Sequence, residues 1–430
     1  MTTTINNEHK KLNFSSEREQ SQACLNSAEH EKNQGRKVLN VPNLRFPEFQ
    51  GEWEKTKFGD IATGFDYGMN AAAKNYDGVN KYIRITDIDE ASSTYTDKDI
   101  VSPDGILTDN YLVNNRDILL ARTGASTGKS YLYKQSDGKL YYAGFLIRAN
   151  VTTHDPYFVF SQLHTHRYWR WVSIMSARSG QPGINSQEYS SFPIYTTSIE
   201  EESKIAKLLS LLDERIATQN KIIEDLKKLK SAIIDYAINS LNTDFAKFDS
   251  LYEMAGEGGT PTTSNASFYD NGKIPFIKID DLKKKYLTEN KDFITELGLQ
   301  KSSAWLVPTR SILFSNGATI GEISITTYPV CTKQGILGIV PKQNIDVEFL
   351  YYFMSSSYFK KAVSCIVTEG TMKTAYLKDI NNILCPIPTK EKQQEIAKMP
   401  SALNSKIDFE QSILKLFCSQ KRHLLRQMFI

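Results

Sequence analysis

The chain repeats itself. Set against its own sequence at an offset of about 190 to 194 residues, the same order of segments occurs twice. "YIRITDID" (82 to 89) returns as "FIKIDDL" (276 to 282), and "DILLARTGASTGKS" (117 to 130) returns as "SILFSNGATIGEI" (311 to 323). "FPI" (192 to 194) returns as "CPIP" (385 to 388), and "EESKIAKLL" (201 to 209) as "KQQEIAKMP" (392 to 400). A fixed offset of this kind means one structural unit used twice. At 430 residues the chain is also longer than one hydrophobic core usually supports.

Each copy has two parts with different periods. The first alternates apolar and polar residues, is rich in β-branched and aromatic types, and is punctuated by Gly, Asn-Gly and Asp-Gly, which is strand and turn chemistry. The second is long, charged and helical in period, running from Ile199 to Leu241 in the first copy. There Leu209, Leu212, Ile216, Gln219, Ile223, Leu226, Lys230, Ile233 and Ala237 alternate in steps of three and four, the heptad seam of a coiled coil. A shift of 191 lands on Pro400, Leu403, Ile407, Glu410, Leu414, Phe417, Lys421, Leu424 and Met428, with both polar breaks in matching places. Two stripes in matched register point to helices that pair with each other. About 40 residues at 1.5 Å each give a rod of roughly 60 Å. Pro400, standing where the first copy has Leu209, is expected to kink or start the second helix.

These patterns predict an α+β fold: two β-rich domains in pseudo-repeat, each followed by a long helix, the two helices pairing as an antiparallel coiled coil. The expected boundaries are a polar, disordered leader over 1–41, a first domain over 42–198, a long helix over 199–242, a second domain over 243–388 and a C-terminal helix over 389–430. Phe46, Phe49, Trp53 and Phe58 supply the first core anchors.

Composition excludes several classes. A net charge of +3 rules out a polybasic protein, yet residues 116–178 hold nine Lys and Arg against three Asp with aromatics interleaved, a face suited to phosphates. The five cysteines are far apart and include no C-x-x-C, so they read as idle thiols in a reducing cytosol. No stretch approaches the ~18 apolar residues of a membrane span, and the expected location is cytoplasmic.

Gly124, Gly128, Lys129 and Ser130 form G-x-x-x-G-K-S, one residue short of a phosphate-cradling loop. Such a loop also needs a helix behind it, whereas "SYLYKQSDGKLYY" reads as strand and turn, and the second copy has Glu322 where Lys129 stands. Both glycine stretches are therefore read as tight connections between strands. His154, His164 and His166 lack nearby paired carboxylates and read as structural. No H-E-x-x-H, G-x-S-x-G or methyltransferase-like pattern is present, so no catalytic or metal residues are assigned.

The layout of β-rich domain, helix, β-rich domain, helix resembles the specificity subunit of type I restriction-modification enzymes. "GGTPTTSNASFYDNGKIPFIKIDDL" (258 to 282) and "SILFSNGATIGEISI" (311 to 325) look like that family's target-recognition domain. "VPNLRFPEFQGEWE" and "KRHLLRQMFI" are similar to staphylococcal-type members. The resemblance covers about 42 to 430 and implies a non-catalytic subunit in which each target-recognition domain reads one half of a split double-stranded DNA site. It implies helices that hold the readers apart, through Leu209, Leu212, Ile216, Ile223, Leu226, Ile233, Leu403, Ile407, Leu414, Phe417, Leu424 and Met428, and that dock two methyltransferase subunits. Two restriction subunits would complete the complex. No cofactor is expected in this chain; S-adenosylmethionine, ATP and Mg belong to the partners. Pro400 and Asn404 depart from the family's unbroken apolar helix.

A rod of roughly 60 Å spans between one and two turns of DNA, and loops that differ between the halves predict an asymmetric target. The candidate DNA-contacting residues are Arg84, Thr86, Arg122, Ser126, Thr127 and Lys129 in the first domain, and Thr260, Thr262, Lys278, Asp280, Asn316, Thr319, Lys333 and Gln334 in the second. Arg and Lys suit guanine O6/N7 or phosphate, while Asn and Gln suit adenine edges. Gly180 to Asn185 and Gly370 to Thr374 are further candidate phosphate-contacting turns. A coiled-coil scaffold without DNA function is the competing reading; it accounts for the helices but not for the glycine-rich heads.

Overall fold

The computed structural model describes residues 39–177, 182–317, 319–367 and 373–430. Residues 1–38 of the expected leader and parts of the segments at 180–185 and 370–374 lie outside them. The chain forms two compact units: Ser210 closes the first, which also takes Arg422–Ile430, and Leu211–Lys421 forms the second.

In the first unit the strands are β1 (Glu54–Lys57), β2 (Ala62–Tyr67), β3 (Ala72–Asn75), β4 (Lys81–Ile83), β5 (Val101–Asp104), β6 (Asp117–Ala121), β7 (Ser130–Leu132), β8 (Leu140–Tyr142), β9 (Leu146–Val151) and β10 (Pro193–Thr196). The helices are α1 (Phe58–Ile61), α2 (Pro156–Gln162), α3 (His166–Ser176), α4 (Ser186–Ser190) and the start of α5 (Ile199–Asn239). The second unit carries β11 (Phe245–Lys247), β12 (Tyr252–Glu257), β13 (Ile274–Ile277), β14 (Tyr286–Leu287), β15 (Asp292–Ile294), β16 (Ile312–Ser315), β17 (Ile323–Thr326), β18 (Cys331–Thr332), β19 (Ile336–Pro341) and β20 (Leu384–Pro386). Its helices are α6 (Glu296–Gln300), α7 (Val347–Ser355), α8 (Ser357–Ile366), α9 (Leu377–Ile380) and most of α10 (Lys390–Gln427).

The repeat is visible strand by strand. The sheet order β2-β9-β6-β7 recurs as β12-β19-β16-β17, with β14 added at the edge. The parallel pair β4-β8 recurs as β13-β18, and the antiparallel pair β1-β10 as β11-β20. β6 is "DILLA", buried throughout, because Ile118 and Leu120 face one hydrophobic core and Leu119 and Ala121 face another. One close approach is shared: Gly68 N–H donates to Leu146 O at 3.1 Å and Gly258 N–H to Ile336 O at 2.9 Å. A Cβ on either glycine would lie 2.2 Å from a carbonyl oxygen, that of Ala143 or of Thr332.

Helix starts repeat as well. Asp155 caps α2 by accepting from Tyr157 N and Phe158 N, with Pro156 at the first helical position; Asp346 caps α7 by accepting from Glu348 N and Phe349 N. The backbone N–H of each cap residue is taken by a long helix: Asp155 N donates to Glu202 Oε2 (3.0 Å) and Asp346 N to Gln393 Oε1 (2.7 Å). The joint is the same, but the first uses a carboxylate and the second a carboxamide. Glu202, buried, also meets His154 Nδ1 at 2.9 Å and accepts from Thr197 N at 3.2 Å. Burial pushes its carboxyl above the usual range, against the opposing pull of the Asp155 amide and His154.

Each unit closes its core on an end of both long helices. In the first, Trp53, Phe58, Phe158 and Phe192 pack with Ile205 and Leu209 of α5 and with Leu425, Met428 and Phe429. Phe158 lies 5.4 Å from both Trp53 and Phe429, ring to ring, and Leu44 N–H donates to Gln427 O at 2.8 Å. In the second, Ile234 and Ile238 of α5 and Ile396 and Ala397 of α10 join Phe248, Phe314, Phe349 and Phe353. Cys331 and Cys385 are buried, and burial pushes the Cys331 thiol up to about 11.

Within the second unit α5 and α10 meet through polar contacts that the heptads place. Gln219 Nε2 donates to Glu410 O at 3.1 Å and to the Glu410 carboxylate; Lys230 Nζ donates to Asn404 Oδ1 at 3.0 Å; Lys421 Nζ pairs with Asp213 at 2.6 Å. The contacts descend along one helix as they ascend along the other. Asn404, a departure from the apolar pattern, is thus the partner of Lys230.

Pro400 does not start the second helix, which begins at Lys390 and runs through it. Proline leaves one helical hydrogen bond unmade, and that turn is held from outside instead. The ring is buried, and Ser401 beside it bonds to Glu348 Oε2 (2.5 Å) and accepts from Lys285 Nζ (2.9 Å).

Gly68→Ala and Gly258→Ala are each expected to destabilise by about 1–3 kcal/mol or more, read as a lowered urea midpoint, since backbone carbonyls cannot retreat. Glu202→Gln gives the first joint the chemistry of the second. A buried carboxyl with a raised pKa holds its proton more tightly folded than unfolded, so its contribution is fullest below the unfolded value and is lost as pH rises through the folded value. The variant is expected to flatten that decline in stability above the ordinary carboxylate range, measured by thermal melting across pH.

Candidate nucleic-acid interface

The G-x-x-x-G-K-S stretch is the connection between β6 and β7, which pair antiparallel through Leu120↔Ser130. Gly124 and Gly128 take φ of +72° and +93°, the left-handed region that glycine tolerates. The amides a phosphate cradle needs are already donated: Gly124 N to Pro182 O (3.0 Å), Gly128 N to Ala121 O (3.0 Å) and Lys129 N to Ser126 O (3.0 Å). The chain passes directly into a strand, so no helix N-terminus stands behind the loop.

The candidate side chains of this half divide by what they already hold. Thr127 is buried and donates to Gly124 O at 2.8 Å, so it fastens the turn. Arg84 forks onto Asp87 at 2.9 and 2.8 Å and reaches Asp99 at 3.0 Å; the Asp87 bonds, above all, push its pKa up. That guanidinium belongs to the fold. Thr86 is exposed beside it, and Ser126 is half-buried. Lys129 lies 3.7 Å from the exposed carboxylate of Glu90, a pairing water weakens. Arg122 places its guanidinium over the Tyr67 ring, 4.6 Å from the centroid.

The second half gathers its candidates through backbone bonds. Lys333 N donates to Ile277 O (2.9 Å), Gln334 N to Thr260 Oγ1 (3.3 Å) and Asn316 N to Gly335 O (3.0 Å). Thr260, Lys278, Lys333 and Gln334 therefore share one surface, with Asn316 beneath it. Lys278, Lys333, Gln334, Thr262, Asp280 and Thr319 are exposed. Lys278 pairs with Asp292 at 2.8 Å and Asp280 with Lys283 at 3.6 Å. Asn316 is different: it is buried, its Nδ2 donates to Ala375 O at 3.2 Å, and its Oδ1 has no partner among the described residues.

Arg122 and Asn316 occupy one position in the two copies. Each follows the same strand, Arg122 N donating to Phe145 O and Asn316 N to Gly335 O, while Ile184 N donates to Arg122 O and Ala375 N to Asn316 O. Two residues on this surface were missed from sequence. Phe145 is 62% exposed and Tyr67 42% exposed. The signal for Phe145 was its contrast with the polar Gln334 and Gly335 of the second copy; none marked Tyr67, which lies 55 positions from Arg122.

The chain thus carries two β-rich heads with solvent-facing polar loops, each closing its core on segments of the long helices. The type I restriction modification DNA specificity domain matches residues 50–228 and again 243–416, and the chain belongs to that family. It is a DNA-specificity subunit, not a catalytic one. A putative type I restriction enzyme MjaX specificity subunit of Methanocaldococcus jannaschii is 24% identical over 403 residues, covering 87% of this chain and 92% of the relative. The MjaIX specificity subunit of the same organism is 32% identical over 171 residues, 38% of each chain. The crystal structure of a type I restriction-modification S subunit from M. genitalium shares the fold at a TM-score of 0.56, with 16% identity over 91% of this chain and 99% of that one. Among the described residues no helix is long and apolar enough to cross a membrane.

Thr127→Val removes the hydroxyl that ties the β6–β7 turn and is expected to lower stability by about 1 kcal/mol in urea unfolding.

Proposed function

We propose that this subunit directs a type I restriction-modification complex to a split, asymmetric site in double-stranded DNA, each target-recognition domain reading one half. The observation that carries the proposal is the pairing of a constant scaffold with variable side chains. The same backbone bonds position Arg122 and Asn316, Phe145 and Gly335, while what reaches the solvent differs: Phe145 is exposed in the first copy, and Asn316 is buried in the second. Two copies of one reader with different side chains meet different base edges.

The long helices act as spacer and dock. α5 is an uninterrupted 41-residue helix, about 60 Å at 1.5 Å per residue. Pairing of α5 with α10 as an antiparallel coiled coil is supported by the opposed order of their polar contacts. On this reading they set the gap between half-sites and seat two methyltransferase subunits, which bring S-adenosylmethionine, while two restriction subunits bring the ATP- and Mg-dependent steps.

The test is co-expression with the methyltransferase subunit, purification of the complex and mapping of methyladenine in host DNA. The expected motif is split with a fixed gap, and exchange of residues 42–198 for those of another member changes one half only. A gapless motif, or one that the exchange leaves intact, overturns the proposal. Lys333→Ala is expected to weaken binding evenly across sequences and to lower the salt slope by about 1.

A further inference from the structure

We propose that Arg122, lying on the Tyr67 ring, reads a guanine in the first half-site; this rests on the DNA-reading function above and adds the base and the residues that select it. Apart from Arg170, which is exposed on α3 away from any aromatic platform the structure records, and Arg167, which donates to Gln162 Oε1 at 3.1 Å, the other described arginines of this domain are held by carboxylates or carbonyls. Arg45 is bonded to Glu201 at 2.7 Å, Arg84 to Asp87 and Asp99, Arg116 to the carbonyls of Val151 and Thr152, and Arg148 to Leu112 O and Asp66. Each of these is engaged in the fold. The Arg122 guanidinium has no hydrogen bond or ion pair among the described residues, and it lies over the Tyr67 ring, 4.6 Å from the centroid.

That contact is built, not incidental. Tyr67 ends β2 in register with Ile147, and its hydroxyl accepts from Ser186 N at 3.3 Å, so the ring is held at both ends. The Arg122 backbone is held between Phe145 O (3.1 Å) and Ile184 N (2.9 Å). A guanidinium on an aromatic face loses little further freedom when it binds, and its edges stay open for hydrogen bonds.

The second copy explains why this side chain is available. At the equivalent position Asn316 is buried and ties down the following segment through Ala375 O. In the first copy the backbone and Thr127 hold the corresponding segment: Gly124 N donates to Pro182 O at 3.0 Å and Thr127 Oγ1 lies 3.4 Å from it. Relieved of that duty, the half-buried side chain at 122 keeps two parallel N–H donors unbonded, which match O6 and N7 of guanine in the major groove.

The complex with its methyltransferase subunits is assayed for methylation of oligonucleotide sites varied one base pair at a time, for wild type, Arg122→Ala, Arg122→Lys, Tyr67→Leu and Tyr67→Phe. The expected result is a guanine required at one position of the half assigned to residues 42–198, with preference for it falling roughly 5- to 150-fold in R122A and at that position alone. R122K and Tyr67→Leu relax the same position by less, and Tyr67→Phe, which keeps the ring, less than Tyr67→Leu.

The inference is overturned by a first half-site with no required guanine. It is equally overturned by unchanged preference in R122A, or by a uniform loss across all sequences with a lowered salt slope, which marks a phosphate contact. If R122A does not assemble, undiminished preference in R122K overturns it. A domain exchange that changes the motif while R122A does not defeats this inference alone; an exchange without effect defeats the reading beneath it.

Discussion

Gln219 and Glu410 stand at the same place in the two repeats and touch each other. Equivalent residues of duplicated helices meet where a local two-fold relation holds between them, and the opposed order of the contacts shows that these helix segments run in opposite directions. Their neighbours obey the same relation: Lys230 reaches Asn404 and Lys421 reaches Asp213, which is one contact seen from each repeat. A buried polar pair in an apolar seam costs stability and specifies register, because any slip leaves donor and acceptor without partners. The polar breaks in the heptads are therefore where the contacts between the two helix segments fall.

Duplication also fixes how the heads are made. Both copies use a glycine that nearly touches a carbonyl, a connection closed by a positive-φ glycine bonded back to the end of the preceding strand (Gly128 and Gly321), and an aspartate cap whose amide is taken by a long helix. Because the backbone satisfies itself, the outward side chains are free to diverge at little cost to folding. The joint to the helix has diverged as well, a buried carboxylate and histidine in one copy and a carboxamide in the other.

The candidate residues drawn from matched loops divide by what they already hold in the fold. The turns stand where the strand pattern puts them. Arg84 and Thr127 instead complete the fold, and Asn316 is buried. In each case a polar residue of the candidate surface is held by a closer partner, since a carboxylate at 2.8 Å or a buried carbonyl competes successfully for donors.

The sequence by itself determined the duplication, the division of each copy into strands and a long helix, the polar breaks that match, and the reading of the glycine stretches as connections between strands. These follow from period and local turn chemistry, which neighbours a few residues apart decide. Only the tertiary structure decided that the second helix passes through Pro400, that Asn404 answers Lys230, and that Tyr67 lies under Arg122. Those outcomes depend on residues brought together from distant parts of the chain, where burial and competing partners, not spacing, choose which polar groups are bound and which face the solvent.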